Sequence, residues 1–137
     1  MAARPHGELL AADVGELVGV SGTTIGQWAR RGYIRSSQRE TEPRVYSVED
    51  VAEASIVHEL LDRGVRRIEV RRAVERLRTP AHPWPLNEAR LATTVDGGRT
   101  RLLIHEPTNG WLELTARGWQ AVADVEQIDE VRLRLRT

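Results

Sequence analysis

Hydrophobic residues between positions 14 and 34 recur at intervals of three and four, which is the spacing of one face of an α-helix. The pattern is interrupted at Gly19-Val20-Ser21, where a glycine favours a sharp turn and a serine can cap the helix that follows. The sequence therefore predicts two short helices, at about 11–17 and 22–31, in a helix-turn-helix layout. Gly32 comes just after the second helix, where a left-handed terminator is usual. The residues expected to close a small core across the turn are Val14, Leu17, Val18, Val20, Ile25, Trp28 and Ala29.

The exposed side of the second helix is predicted to carry short polar, amide and guanidinium groups. Groups of these kinds read base edges and phosphates in the major groove of DNA. A helical hairpin with an ordinary solvated face would carry the same residue types, so this pattern alone leaves both interpretations open. The residues expected on this side are Thr23, Thr24, Gln27, Arg30 and Arg31, with Ser21 at the start of the helix.

A polar segment that ends in β-prone residues follows the second helix. It predicts a two-stranded hairpin, or wing, in which Tyr33-Ile34 leaves and Arg44-Val45-Tyr46 returns. Arg35, Arg39 and Arg44 would lie near a DNA backbone if the preceding helix occupied the groove. A surface loop is the alternative interpretation of the same residues.

Two further helices are predicted after this segment. Ser47 opens the first with an acidic residue, Asp50, three positions later, which is a variant of the capping box, and Gly64 ends it. Apolar residues at helical spacing predict a fourth helix at about 67–78. Six arginines between 66 and 78 crowd this helix. They indicate either a solvated face or a second surface for phosphates or a partner.

The character of the chain changes at the proline-rich stretch 79–86, which predicts a stiff boundary. Beyond it, two β-prone runs flank Asp96-Gly97-Gly98-Arg99, a hairpin signal, and a third strand is expected over 111–114. Strict alternation predicts a strand over 131–136, whereas 119–125 is ambiguous. The predicted fold class is α+β, a winged helix-turn-helix head followed by a small β-rich region. The expected divisions are a flexible lead at 1–8, the head at 9–78, a linker at 79–86 and a β-rich dimerisation or partner-binding region at 87–137.

Composition narrows the classes of function. The chain of 137 residues has the length of one domain, or of one small domain with an appendage. The absence of cysteine excludes disulfides, thiolate metal sites and cysteine nucleophiles, and the four histidines show no ligand spacing, so no metal site or cofactor is expected. The net charge is zero, yet DNA affinity depends on a local cluster of charge rather than on the sum. All 20 basic residues are arginine, which suits bidentate contacts with phosphate and guanine.

No catalytic residues are predicted, because no acidic or histidine residues have the spacing of an acid/base pair, a triad or a phosphate loop. No apolar run approaches the roughly 18 residues that a membrane span requires. The first residues also lack the apolar region of a signal peptide, so we expect a cytoplasmic protein without a membrane partner.

About the first 78 residues resemble the DNA-binding domain of the MerR family. The resemblance rests on 14–34 with its Gly-Val-Ser turn, on the stretch from Arg44 to Val51, and on 60–65 with the helix that follows. In that family the second helix enters the major groove and the wing grips the flanking backbone. The resemblance implies DNA contacts by Thr23, Thr24, Gln27, Trp28 and Arg31, with the wing residues Arg44 and Tyr46; Ser21, Arg30 and Arg35 complete the candidate set. Trp28 is equally suited to the core.

The chain departs from full-length MerR regulators after residue 78, since a proline break and a β-rich tail replace their long dimerising helix. In this respect it is loosely similar to small proteins with a MerR-like head, several of which look like VapB-type antitoxins. Two functions follow as hypotheses. The first is a sequence-specific transcriptional regulator that binds double-stranded DNA as a homodimer. The second is an antitoxin that represses its own operon and neutralises a toxin nuclease through residues 87–137.

Overall fold

The computed structural model describes residues 9–35, 45–122 and 127–131. Helices precede strands along the described chain, as the α+β prediction requires, and that fold class is confirmed. Within the described ranges the helices are α1 (Ala11–Val18), α2 (Gly22–Arg30), α3 (Val48–Asp62), α4 (Arg67–Leu77) and α5 (Pro85–Glu88). The strands are β1 (Arg90–Asp96), β2 (Arg99–Glu106), β3 (Gly110–Thr115), β4 (Gly118–Ala121) and β5 (Asp129–Val131).

The turn between α1 and α2 forms as predicted. Gly19 ends α1 in the left-handed conformation with φ of 99°, and its N–H donates to the carbonyl of Gly15 at 2.7 Å. The close approach of the two helices and their turn leaves little room for a side chain at two glycine positions. A Cβ on Gly15 would lie 2.5 Å from the carbonyl oxygen of Val20, and a Cβ on Gly22 would lie 3.0 Å from Cα of Ala12.

The predicted helix caps are also confirmed. The hydroxyl of Ser21 accepts a hydrogen bond from the N–H of Thr24 at 3.1 Å, which satisfies one of the free donors at the start of α2. At the start of α3, the hydroxyl of Ser47 accepts from the N–H of Asp50 at 3.1 Å, and the Asp50 carboxylate accepts from the N–H of Ser47 at 2.9 Å. These caps fix where both helices begin.

The pairing predicted for the wing is wrong where the structure describes it. Tyr33 and Ile34 form a bend rather than a strand, and both side chains are buried. The backbone of Tyr46 pairs with Leu9 instead, through hydrogen bonds of 2.7 and 3.1 Å. The stretch just before α1 therefore provides the partner that the sequence pattern assigned to Tyr33-Ile34. Residues 36–44, including Arg44, lie outside the described residues.

The β-rich region is one antiparallel sheet in the order β4-β3-β2-β1-β5. The predicted hairpin between β1 and β2 is present, with Gly97 and Gly98 at φ of 60° and 78°, which is the backbone that a tight two-residue turn needs. The ambiguous stretch contributes β4, and β5 pairs with β1. The predicted strand over 131–136 is described only at Val131, and its remainder lies outside the described residues.

One hydrophobic cluster extends from the helical head to the sheet. Val14 and Ile25 of the helix-turn-helix belong to the same buried cluster as Leu60 of α3 and as Leu102 and Ile104 of β2. The sheet therefore covers part of the helical core. In the described part of the chain, no helix is both long enough and apolar enough to cross a membrane.

Leu17, one of the residues predicted to belong to the core, lies at the surface, and so does Val48. Leu17 is 65% exposed, whereas Val14 and Gly15 of the same helix are buried. Val48 at the start of α3 is 59% exposed. Both carry hydrophobic side chains at helical spacing, and only the packing of neighbouring elements decides which side of each helix is covered.

Candidate DNA interface

Helix α2 presents one polar face and one buried face. Thr23, Gln27 and Arg31 follow one another at intervals of four along the chain and therefore line one side of the helix. Thr23, Arg30 and Arg31 are exposed, and Thr24 and Gln27 are half-buried. On the opposite side, Ile25 and Trp28 are 0% and 4% exposed. The residues at the interface are held in place by a helix whose other side belongs to the core.

The first turn of this face is tied together by hydroxyl groups. The oxygens of Ser21 and Thr24 lie 2.9 Å apart, and the same Ser21 oxygen caps the backbone of α2. Ser21 itself is exposed, so it combines a structural role with a position at the edge of the face. Backbone N–H groups at a helix start also favour a bound anion such as phosphate.

Two residues of the candidate set belong to the core rather than to the surface. Trp28 is 4% exposed and Tyr46 is fully buried. Trp28 lies on the side of α2 that packs against the head, and Tyr46 is fixed by its backbone pairing with Leu9. Neither side chain is placed to contact DNA, and their assignment as contacts is corrected accordingly. Their large aromatic side chains support the helix from behind.

The arginines of α2 differ in their surroundings from those of α4. Within the described residues, neither Arg30 nor Arg31 is in an ion pair, and α2 contains no acidic residue. On α4, by contrast, Arg72 pairs with Glu75 at 3.9 Å and Arg76 pairs with Glu106 at 2.8 Å. Among the described residues, the arginines of α2 therefore have no anionic partner, whereas two of the arginines on α4 are paired.

The pair between α4 and the sheet also shifts two pKa values. The hydrogen bond from Arg76 holds the pKa of the Glu106 carboxyl below its ordinary value, with a second contribution from the side chain of Asn109. The same hydrogen bond raises the pKa of Arg76. Both groups stay charged near neutral pH, so this pair fastens β2 to α4 and leaves Arg76 engaged.

Arg35, the last described residue after α2, is half-buried and lies over the ring of Trp84, with its guanidinium carbon 5.3 Å from the ring centroid. Trp84 belongs to the proline segment, residues 79–86, which the sequence predicted as a linker. Sequence reasoning missed this contact, because a tryptophan between prolines gives no indication of the surface against which it will pack.

Among the described residues, no group of three or more His, Asp or Glu side chains could hold a metal ion.

Residues 11–77 match the model of the MerR helix-turn-helix family of regulatory proteins. These residues form a MerR-family helix-turn-helix domain. The match begins with α1, ends with α4 and covers just under half of the chain. The match supports a DNA-binding transcription regulator, and α5 and the sheet lie beyond the matched segment. Neither a curated protein nor a solved structure matches this chain.

Proposed function

We propose that this protein is a sequence-specific regulator, acting in the cytoplasm, that places α2 in the major groove of double-stranded DNA. Thr23, Thr24 and Gln27 contact base edges, because hydroxyl and amide groups at the centre of a recognition helix match the donors and acceptors of bases. Arg30 and Arg31 contact guanine or the phosphate backbone. Ser21 lies at the first phosphate, and Arg35 and Arg44 bind the flanking backbone.

The observation that carries this proposal is an exposed polar face on a helix held from behind by the core, with arginines that form no ion pair to any described residue. Thr23, Gln27 and Arg31 share one side of α2. The same helix packs so closely on α1 that a Cβ on Gly22 would lie 3.0 Å from Cα of Ala12. A rigid element that presents such groups meets the geometric requirement for reading DNA without reorganisation.

We further propose that the protein binds as a homodimer to two half-sites about one helical turn apart, as helix-turn-helix regulators commonly do. Light scattering of the free protein and of its DNA complex measures this directly. Two chains per duplex support the homodimer, and one chain per duplex contradicts it.

The antitoxin function remains a prediction from the sequence, and no described contact or comparison favours it. Its test is co-expression with the product of any adjacent nuclease gene. Co-purification through residues 87–137 supports an antitoxin. The absence of a complex, together with normal repression, contradicts it.

The central experiment starts from a pool of random duplexes, from which the full-length protein selects its preferred sequence. Affinity for that duplex is then measured over a range of salt concentrations for Gln27→Ala and Arg31→Ala. Gln27→Ala is expected to cost about 1–3 kcal/mol and to relax the preference at one position. Arg31→Ala is expected to weaken binding and, where it contacts phosphate, to reduce the salt slope by about 0.9.

Arg117→Ala serves as the matched control. Arg117 is an exposed arginine in the turn between β3 and β4, and within the described residues it takes part in no ion pair. Its replacement removes the same charge without touching α2, so the affinity should stay close to that of the natural chain. Equal losses for Arg31→Ala and Arg117→Ala would show that only net charge matters and would contradict the proposal.

A further inference from the structure

The proline segment is attached to α3 through a buried carboxylate. Glu53 is fully buried, and it accepts hydrogen bonds from the N–H of Leu86 at 3.0 Å and from the N–H of Asn87 at 2.5 Å. The side chain of Leu86 is 1% exposed and belongs to the common core. The start of α5 is therefore fixed on the helical head, and the residues just before it are fixed with it.

Trp84 is oriented by a second carboxylate of the same helix. Its indole N–H donates to Oδ1 of Asp50 at 2.9 Å, while Oδ2 of Asp50 accepts from the N–H of Ser47. Asp50 is fully buried, and it is part of the cap of α3. Since Pro83 and Pro85 flank Trp84 and restrict the backbone, the ring has little freedom to turn away.

The ring that is held in this way lies beneath Arg35. A guanidinium within about 6 Å of an indole centroid is attracted to the face of the ring. Arg35 meets this condition at 5.3 Å. Because the donors of a guanidinium lie around its edge, an arginine bound through its face can still donate to a phosphate.

We propose that Trp84 is a positioning residue that holds the Arg35 guanidinium in place for a DNA phosphate beside α2. This inference rests on the proposed function, in which Arg35 contacts the flanking backbone. A long side chain that is ordered before binding loses less freedom when the complex forms. Through Trp84, a segment outside the matched MerR domain thus contributes to DNA affinity without touching DNA.

The test is a double-mutant cycle on the full-length protein, with the duplex selected as described above. The variants are Trp84→Leu, Arg35→Ala and the double variant, and the affinity of each is measured over a range of salt concentrations. We expect Trp84→Leu to weaken binding by about 3- to 10-fold and to reduce the salt slope toward that of Arg35→Ala. In the Arg35→Ala background, Trp84→Leu should have no further effect.

Trp84→Phe separates positioning from general folding, since phenylalanine keeps an aromatic face but lacks the N–H that bonds Asp50. It should weaken binding by less than Trp84→Leu does, because the aromatic face stays while the bond that orients the ring is lost, and this loss should vanish without Arg35. If Trp84→Leu fails to fold, as judged by circular dichroism, the cycle with Trp84→Phe decides the question.

Two results would overturn the inference. Equal losses from the Trp84 substitution with and without Arg35 would mean that Trp84 acts on the fold alone. Tighter binding by Trp84→Leu would mean that the ring withholds Arg35 from DNA.

The proposed function fails separately, when Gln27→Ala and Arg31→Ala leave affinity unchanged. A loss in those two variants, with none in Trp84→Leu, overturns the positioning role only.

Discussion

The buried carboxylate of Glu53 accepts a hydrogen bond from the backbone N–H of Leu86 at 3.0 Å. The two residues lie 33 positions apart, one in the MerR-family domain and one beyond it. Burial raises the pKa of Glu53 from its ordinary value of 4.5 to about 7, although the N–H groups of Leu86 and Asn87 and the charge of Arg78 lower it. Asp50, on the same helix, adds a smaller increase.

The raised pKa predicts a loss of stability as pH rises. The folded chain binds a proton at Glu53 more tightly than the unfolded chain, so the stabilisation is fully present below about 4.5 and is lost as pH rises to about 7. Glu53→Gln removes this titration. We expect the free energy of unfolding of the natural chain, relative to that of the variant, to fall by on the order of 3 kcal/mol across this range. Urea unfolding at several pH values measures it, and parallel pH profiles would contradict the prediction.

The close approach of α1 and α2 predicts opposite effects for two glycine-to-alanine changes. Gly15→Ala places a Cβ 2.5 Å from a backbone oxygen and should destabilise the fold by about 1–3 kcal/mol. Gly26→Ala meets only the flexible end of Arg30 at 3.5 Å and should stabilise α2 by about 0.5–1 kcal/mol through helix propensity. Thermal unfolding of both variants decides the matter. Equal effects of the two changes would show that the helices are not in close contact.

The side chain of Arg63, at the end of α3, is hydrogen-bonded to β1 and to β5. Its guanidinium donates to Thr93 at 3.0 Å and to the carbonyl oxygens of Asp129 and Glu130 at 2.8 and 3.3 Å. Arg63→Ala should therefore destabilise the chain by about 1–3 kcal/mol and increase hydrogen exchange at the amide of Val131.

Arg90→Ala is the control for that change. Arg90 also contacts β5 through Glu130, but its side chain is 57% exposed, and exposed ion pairs contribute little. Its effect should be clearly smaller than that of Arg63→Ala. A similar loss in both variants would argue against a special role for Arg63.

Because the helical head and the sheet share one buried cluster, we expect the stability of the head to depend on the sheet. A fragment of residues 1–78 lacks Leu86, Leu102 and Ile104, which are all part of the buried cluster, and it leaves Glu53 without its two N–H donors. We expect this fragment to unfold at a lower temperature than the full chain, or not to fold. Circular dichroism and amide NMR spectra measure this. A fragment as stable as the full chain would show that the head is independent.

The features predicted correctly from the sequence are those decided by neighbouring residues. Gly19 adopts a left-handed conformation, Ser21 and Ser47 cap their helices, and Gly97-Gly98 forms the hairpin turn. In each case the signal and the structure lie within four residues of one another. The helix-turn-helix and the β-rich region follow from such local signals together with hydrophobic periodicity.

The features that were missed depend on contacts between distant positions. The pairing of Tyr46 with Leu9 and the bond from Trp84 to Asp50 join segments more than 30 residues apart. Nothing in a proline-rich stretch distinguishes a free linker from one that packs on a helix. Likewise, the period of α2 places Trp28 at the border between its two sides, and only the fold shows that it is buried.

The two faces of α2 have separate roles, one in packing and one at the surface. The buried side and the glycine contacts with α1 determine where the helix lies, whereas the side chains of Thr23, Gln27 and Arg31 form none of the described hydrogen bonds or ion pairs. These three positions can therefore be exchanged with little cost to stability. For protein engineering, this means that the side chains of α2 proposed to contact DNA can be varied while the packing of the helix is kept. Libraries at these three positions are a route to variants that bind other DNA sequences.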